Sequence, residues 1–284
     1  MAQYRSTFSV GMMSRVLEVS RSGFYDWCNR KISKRAVQNL FYAEKLSEIF
    51  ETNEKVYGSP RLHKAMRKMG FCLGRERIAR IMKLTGIRPI TAKKFRVKTT
   101  DSEHSMPLSE NLICRNFRTE RPNHVWVSDI TYVRIKDGFC YLCVIVDLFS
   151  RRIVGWSLKS HMRTSLIEDA LCSALSHRKI EQGKLIHHSD CGSQYASRSF
   201  RKMLNENGIL SSMSSKGDCY DNAVAESVFG TIKRERIHHR VYENCIDART
   251  DLFQYIEGFY NRRRLHSYLD YTSPVEFELN MGAA

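Results

Sequence analysis

No apolar run in this 284-residue chain approaches the about 18 residues of a membrane-spanning helix, which argues against an integral membrane protein. The first residues, "MAQYRSTFSVGMMSRVLEV", lack a continuous apolar segment and an early small-residue cleavage site, so no secretory signal is read and a cytosolic protein is expected. A sustained heptad pattern is also missing. The 9 cysteines are odd in number and scattered through apolar runs, which suits reduced core thiols better than a disulfide framework. Cys140 and Cys143 have C-x-x-C spacing, but they lie in a strand pattern, where residues three apart point to opposite faces. No second Cys/His pair follows at zinc-finger spacing, so structural thiols are expected rather than a zinc or redox site.

Acidic residues are what the first third lacks. Residues 1–98 hold 22 Lys and Arg against 7 Asp and Glu, a net of +15, while the remaining residues are nearly balanced within a total of +16. A concentrated cationic module calls for a polyanion. Its basic residues are spread over several short helical patterns, which makes a membrane surface the weaker partner.

Within that module, residues 8–30 read as two short helices with Ser20 as N-cap of the second. Arg21, Tyr25 and Arg30 on the second can reach phosphates and base edges, although a plain helical hairpin fits as well. In "GSPRLHKAMRKMG" and "GRERIARIMKLTG", Ser59 is the expected N-cap, Pro60 the first helical residue, and Gly70 and Gly86 the stops. This pair carries Arg61, Lys64, Arg67, Lys68, Arg75, Arg77, Arg80 and Lys83, a density that favours DNA binding. The expected organisation is a helix-turn-helix-like segment over 1–36, a basic helix-turn-helix-type domain over 37–98, a linker over 99–122 and an α/β domain over 123–284. Linker character already begins near residue 88: over 88–122 the chain, including "TAKKFRVKTTDSEHSMPLSENLI", has little periodicity and a basic start.

From residue 123 the pattern changes. "HVWVSDITYVRI", "FCYLCVIVDLF" and "RRIVGWSL" read as a β-meander. A helix near 164–178, a strand "KLIHHSD", a helix over 197–207, a strand "GILSSM" and further helices complete an α/β layer with a mixed sheet.

Carboxylates are scarce where the chain turns apolar, so the few present stand out. Asp129 sits mid-strand, where an ionised group is costly unless it meets positive charge. Asp190 ends its strand, where α/β sheets gather ligands. Glu226 lies in "KGDCYDNAVAESVFGTIKRE". There Ala225, Val228, Phe229 and Ile232 form the apolar stripe, and Asn222, Glu226 and Lys233 share its border. Alone, that row reads as a solvated face. Asp147 is the rival carboxylate and reads as a turn-entry residue near Arg151 and Arg152. Converging acidic oxygens suit hard divalent cations in phosphoryl transfer.

These motifs, "W-x-S-D-I-T-Y", "H-S-D-x-G-S-Q-Y" and "S-x-K-G-x-x-x-D-N-A-x-A-E-S-x-F-x-x-x-K", resemble the catalytic core of retroviral-type integrases and insertion-sequence transposases. The 35 residues between Asp190 and Glu226 match the hallmark interval of that group. The whole chain resembles the second reading frame (OrfB) of insertion-sequence family three, including its closing motif in "FYNRRRLHSYLDYTSPVEFE". The resemblance implies an RNase H-like fold behind an all-α helix-turn-helix region. It implies a DDE transposase acting by DNA cleavage and strand transfer. Asp129, Asp190 and Glu226 would hold two Mg²⁺ or Mn²⁺ ions, with Asp129 as the bridge. Lys233, Asn222 and Lys216 would approach the DNA, and Gly192, Ser193 and Gln194 would shape the turn beside Asp190. Implied partners are double-stranded DNA, further copies of the chain and the product of an upstream reading frame, in a nucleoid-associated cytoplasmic setting. Two other classes stay open on the residues alone: a DNA-binding regulator or domesticated transposase without catalysis, and an RNase H-like nuclease. His187 and His188 read as strand and packing residues.

Overall fold

A computed structural model describes residues 1–90, 109–113, 117–214 and 223–282. The N-terminal part is helical: α1 (Val10–Val16), α2 (Arg21–Asn29), α3 (Lys34–Thr52), α4 (Ser59–Lys68) and α5 (Arg75–Thr85). Ser20 caps α2 as expected, its hydroxyl accepting from the Gly23 amide at 2.9 Å. The α4 start differs from expectation. Gly58 is the N-cap and Ser59 the first helical residue, so Pro60 falls one position later. Pro is still tolerated there, because first-turn amides have no helical partner. Gly70 and Gly86 end α4 and α5 with φ of 86° and 73°, a left-handed geometry that suits glycine. The longest of these helices, α3, was not anticipated. Its sequence has a diffuse apolar pattern, and only Leu46, Ile49 and Phe50 near its end are buried.

The second part is built on β1 (Val125–Ile135), β2 (Gly138–Asp147), β3 (Ile153–Lys159), β4 (Ile186–Ser189) and β5 (Leu210–Met213). The strand order is β3-β2-β1-β4-β5. The meander is antiparallel, whereas β4 and β5 run parallel to β1. This is the RNase H-like mixed sheet. Helix α6 (Thr164–His177) and helix α7 (Arg198–Glu206) cover one face. The other face is covered by α8 (Ala223–Glu235) and by α9 (Cys245–Phe253) with the π-helical turn Gln254–Tyr260 that follows it. Cys140 belongs to the core on the α8 side and Cys143 to the core on the α6 side, the opposite-face arrangement that strand periodicity demands. At Gly155 a Cβ would come within 2.8 Å of Ala174, so glycine is what lets α6 lie flat on β3.

Residues 109–113 run beside β5. The Leu112 amide donates to Ser212 at 2.9 Å, Ser109 bonds Ser211, and Ile113 is buried. That covers an otherwise open sheet edge. The closing segment ends in α10 (Pro274–Asn280), capped by Ser273 and Glu276 in a reciprocal box. Buried Glu278 fastens it to the sheet through Ser150, Arg152 and Arg178, the last at 2.6 Å.

The helical part and the sheet part share an interior. Tyr57, buried before α4, accepts from the Leu265 amide at 2.9 Å and donates to the Arg263 carbonyl. Arg236 bonds Asp251 through two nitrogens at 2.7 and 2.9 Å and also reaches Glu54 of the segment after α3. Among the described residues no helix is long and apolar enough to cross a membrane.

Candidate active site

Strand register brings the first two carboxylates together. Val127 pairs with His188 across the parallel β1–β4 ladder. Two residues further along stand Asp129, still on β1, and Asp190, the first residue past β4, where β1 continues against β2 alone. Both line one narrow cleft with Ile130, Met162, Gly192, Gln194 and Tyr195. Each is held by a nearby amide: Asp129 accepts from Ile130 at 2.7 Å, and Asp190 from Gly192 at 3.0 Å. A Cβ at position 192 would press on the Asp190 carboxylate at 3.0 Å and on Gln194 at 3.2 Å, so this turn needs a glycine. Gln194 donates to the Met162 carbonyl, and Tyr195 bonds Ser128 at 2.8 Å behind the cleft.

Burial, then the Asp190 charge, push the Asp129 carboxyl up to about 8; the Ile130 amide and Lys233 oppose this, and Glu226 adds to it. Glu226 and Lys233 on α8 are therefore within electrostatic reach of Asp129. Glu226 is exposed in the first turn of α8, while Ala225, Val228, Phe229 and Ile232 are buried and anchor the helix. Lys233 is half-buried, with its ammonium 5.4 Å from the centre of the Tyr132 ring. Burial lowers its pKa and the Asp129 charge works the other way. Asn222 and Lys216 lie outside the described residues.

Asp147 is built into a turn. Its carboxylate accepts from the Asn123 and Phe149 amides at 2.8 and 2.9 Å, and its carbonyl accepts from the Arg151 amide. Burial pushes it up to about 6 against those bonds. His187 is buried against Phe200, and burial lowers it to about 3. His188 bonds Ser212 at 2.9 Å. Cys191 is buried and donates to the Ser214 carbonyl.

The basic residues of the helical part divide. Arg61 donates to the Leu265 carbonyl, Lys64 pairs with Asp270 and Lys68 with Glu276, so these three face the closing segment. Arg77 bonds Asn39 and lies over Tyr42. Arg21, Arg67, Arg75 and Arg80 are exposed. A network that sequence reasoning did not find lies between them and the sheet. Glu235, the last residue of α8, takes a two-pronged bond from buried Arg264 at 2.6 and 2.7 Å, a third from Tyr255, and faces Arg61 at 3.6 Å. Its only sequence signal was the arginine run in "NRRRLH".

Comparison with known proteins fits this architecture. Models described as "Integrase core domain" match residues 119–219 and 207–274, and one described as "HTH-like domain" matches 38–95. The chain is 37% identical over 278 residues to the transposase InsF for insertion sequence IS3A of Escherichia coli (strain K12), covering 97% of this chain and 96% of the relative. The chain belongs to the IS3 transposase family. A 31 kDa protein of insertion element IS600 from Shigella sonnei is 39% identical over 267 residues, 93% of this chain and 97% of that one. Among solved structures, the simian T-cell lymphotropic virus intasome aligns with a TM-score of 0.47 at 17% identity, covering 78% of this transposase and 74% of that chain. The HTLV-2 integrase catalytic core domain in complex with magnesium aligns with a TM-score of 0.42 at 20% identity, covering 56% and 97%. This transposase thus has an integrase core behind an HTH-like domain, and its activity is DNA transposition.

Proposed function

We propose that Asp129, Asp190 and Glu226 form the catalytic centre of this transposase and that it cuts and joins DNA there in two phosphoryl transfers. The observation that carries this reading is that Asp129 and Asp190, just past the end of the parallel β1–β4 ladder, line one cleft, with the Glu226 charge felt at Asp129. Among the described residues no group of three or more His, Cys, Asp or Glu side chains is drawn tightly enough together to hold a metal ion. The donor set nonetheless fits hard divalent cations. It is all carboxylate oxygen, and the crowding of negative charge around Asp129 is what a cation would relieve. Two Mg²⁺ or Mn²⁺ ions bound by these residues would supply polarisation of the attacking oxygen and neutralisation of the leaving one.

The chain's own part is positioning. Asp129 is fixed on a central strand and Asp190 by the Gly192 turn, so both keep their places as DNA enters. Glu226 comes from an exposed helix face and completes the site from the other side. Lys233, poised between Asp129 and solvent, would pair with a phosphate beside the cut. In the first transfer a water oxygen attacks phosphorus, the bond to the 3′-oxygen breaks, and a 3′-hydroxyl remains. In the second, that hydroxyl oxygen attacks a target phosphodiester, forming a new 3′–5′ link and releasing the target's own 3′-oxygen with a proton. In-line alignment and charge stabilisation provide the acceleration, and no protein nucleophile is needed.

Joining two ends calls for at least two copies on DNA, with the upstream reading-frame product as a further partner, in the cytoplasm on the nucleoid. The test is Mg²⁺-dependent nicking and strand joining on the terminal repeats of the element, with Asp129→Asn, Asp190→Asn and Glu226→Gln proteins. Each should be inactive, and activity surviving in any one would remove that residue from the centre.

A further inference from the structure

A cavity much larger than the cleft at the carboxylates lies elsewhere. It measures about 780 Å³ and lies on the other side of α8, between that helix, the start of α4 and the closing segment. That is well within the roughly 300–1,000 Å³ of ligand sites. Four guanidiniums line it, from Arg61, Arg151, Arg234 and Arg264, against the single carboxylate of Glu235. Glu235 is already committed to Arg264, and His266 on the same wall is held neutral by burial and by the charges of Arg264, Arg61 and Arg151. Burial and the neighbouring Arg264 charge also lower Arg61. Arg61 only shares Glu235, at 3.6 Å, and Arg151 and Arg234 have no carboxylate partner among the described residues.

Arg151 is the most informative of them. It is only 8% exposed, and one terminal nitrogen, Nη2, donates to the Phe117 carbonyl at 3.1 Å. The other, Nη1, is buried with no hydrogen-bond partner. A buried guanidinium nitrogen left unpaired is costly, and such forks match phosphate oxygens. Above it lies the Tyr268 ring, whose centre is 4.1 Å from the guanidinium carbon and which is 53% exposed. An exposed aromatic face on a cation is a platform for a base. Opposite, Pro89, Ile90 and Val224 give an apolar wall that suits a sugar or base.

We propose that this cavity is a binding site for a short single-stranded stretch of DNA, its phosphates on Arg151, Arg61 and Arg234 and a base on Tyr268. The site is concave and walled by α4 and α8, so it admits a few nucleotides and not a duplex. Since α8 carries Glu226 and Lys233 on one face and lines the cavity with Ser227, Thr231 and Arg234 on the next, a strand leaving the catalytic cleft need only cross one helix. The proposal rests on the functional reading above for the source of that strand.

The test is fluorescence anisotropy with the full chain in EDTA, using a short labelled duplex that is either blunt or ends in a single-stranded tail. Tailed DNA should bind more tightly. Tyr268→Ala, a surface change, should remove about tenfold of its affinity and leave the blunt duplex unaffected. Arg234→Ala should weaken the tailed DNA and flatten its salt dependence by about one phosphate contact. Equal affinity for the two DNAs, or indifference to both substitutions, would overturn the proposal. So would binding of ATP with the same residue dependence while the tail is ignored, which would mark a free-nucleotide site. Strand joining is measured separately with Mg²⁺. If the wild type never joins ends yet keeps Tyr268-dependent tail binding, this inference stands and the catalytic reading falls. If joining proceeds but tail binding ignores Tyr268 and Arg234, only this inference falls.

Discussion

Glu235→Gln should destabilise the fold by an amount that can be worked out from its partners. Glu235 compensates two guanidiniums: Arg264, bound at 2.6 and 2.7 Å, and Arg61 at 3.6 Å. A glutamine keeps the shape, removes the charge and turns an NH₂ toward a donor. Breaking a buried ion pair from one side costs about 3–5 kcal/mol. Arg61 keeps the Leu265 carbonyl and borders a cavity, so the lower end, about 3 kcal/mol, is expected. For a chain of this size that lowers Tm by about 6–12 °C. The assay is a thermal or denaturant melt of wild type, Glu235→Gln, Arg264→Met and the double variant. The double should recover about 2 kcal/mol relative to additivity, because it removes both charges. The deficit should also depend on pH. Burial opposes ionisation of Glu235, but Arg264 and then Arg61 outweigh it and hold the carboxyl below its ordinary range. A depressed carboxylate stabilises above its unfolded pKa and loses that contribution as pH falls through the folded value. The gap between wild type and Glu235→Gln should therefore close in acid, below about pH 4. A variant melting within a degree of wild type, or strict additivity in the double, would refute this account.

Three further outcomes are expected. Glu226→Gln should lose ~10²-fold or more in strand cleavage with an unchanged Tm, since Glu226 is exposed; parallel loss of activity and stability in melts would count against its catalytic role. His187, held neutral in the core at about 3, takes a proton more readily when unfolded, so stability should fall as pH drops from about 6.5 toward 3. His187→Phe should flatten that part of a pH-dependent denaturation curve, and an unchanged slope would assign the acid sensitivity elsewhere. Gly155→Ala, which forces a Cβ onto Ala174, should cost about 1–3 kcal/mol in a urea melt through displacement of α6, and a neutral effect would mean that the helix shifts freely.

Several features were legible because they rest on local chemistry. The alternation in "HVWVSDITYVRI" and the turn "KDG" specify a hairpin wherever they occur, and the β1–β2 register follows. Helix ends at Ser20, Gly70 and Gly86 depend on single residues whose preferred geometry is intrinsic. Asp129 and Asp190 stood out because ionisable groups in apolar strands need a reason. By contrast, the α4 start was misplaced by one residue, since Ser and Gly are both acceptable caps and the neighbouring chain decides between them. Helix α3 was missed because most of its surface faces solvent and its anchors are crowded at one end.

What the sequence by itself determined, then, is the order of the strands and of the helices other than α3, the charge division at residue 98, the family motifs and the carboxylates worth testing. All of these are properties of short stretches or of composition. Only the tertiary structure decided where the cations go. Arg61, Lys64 and Lys68 read as the outward charges of a DNA-binding helix, yet they turn inward to the closing segment, 204 to 208 residues away in the chain. Arg264 looked like one of a run and is the buried partner of Glu235. Arg151, a turn residue, became a buried guanidinium in a cavity with one nitrogen, Nη1, left without a hydrogen-bond partner. The physical reason is that a long cationic side chain can satisfy its charge with any acceptor within reach. Which acceptor that is depends on the packing of distant segments, and no local pattern encodes it.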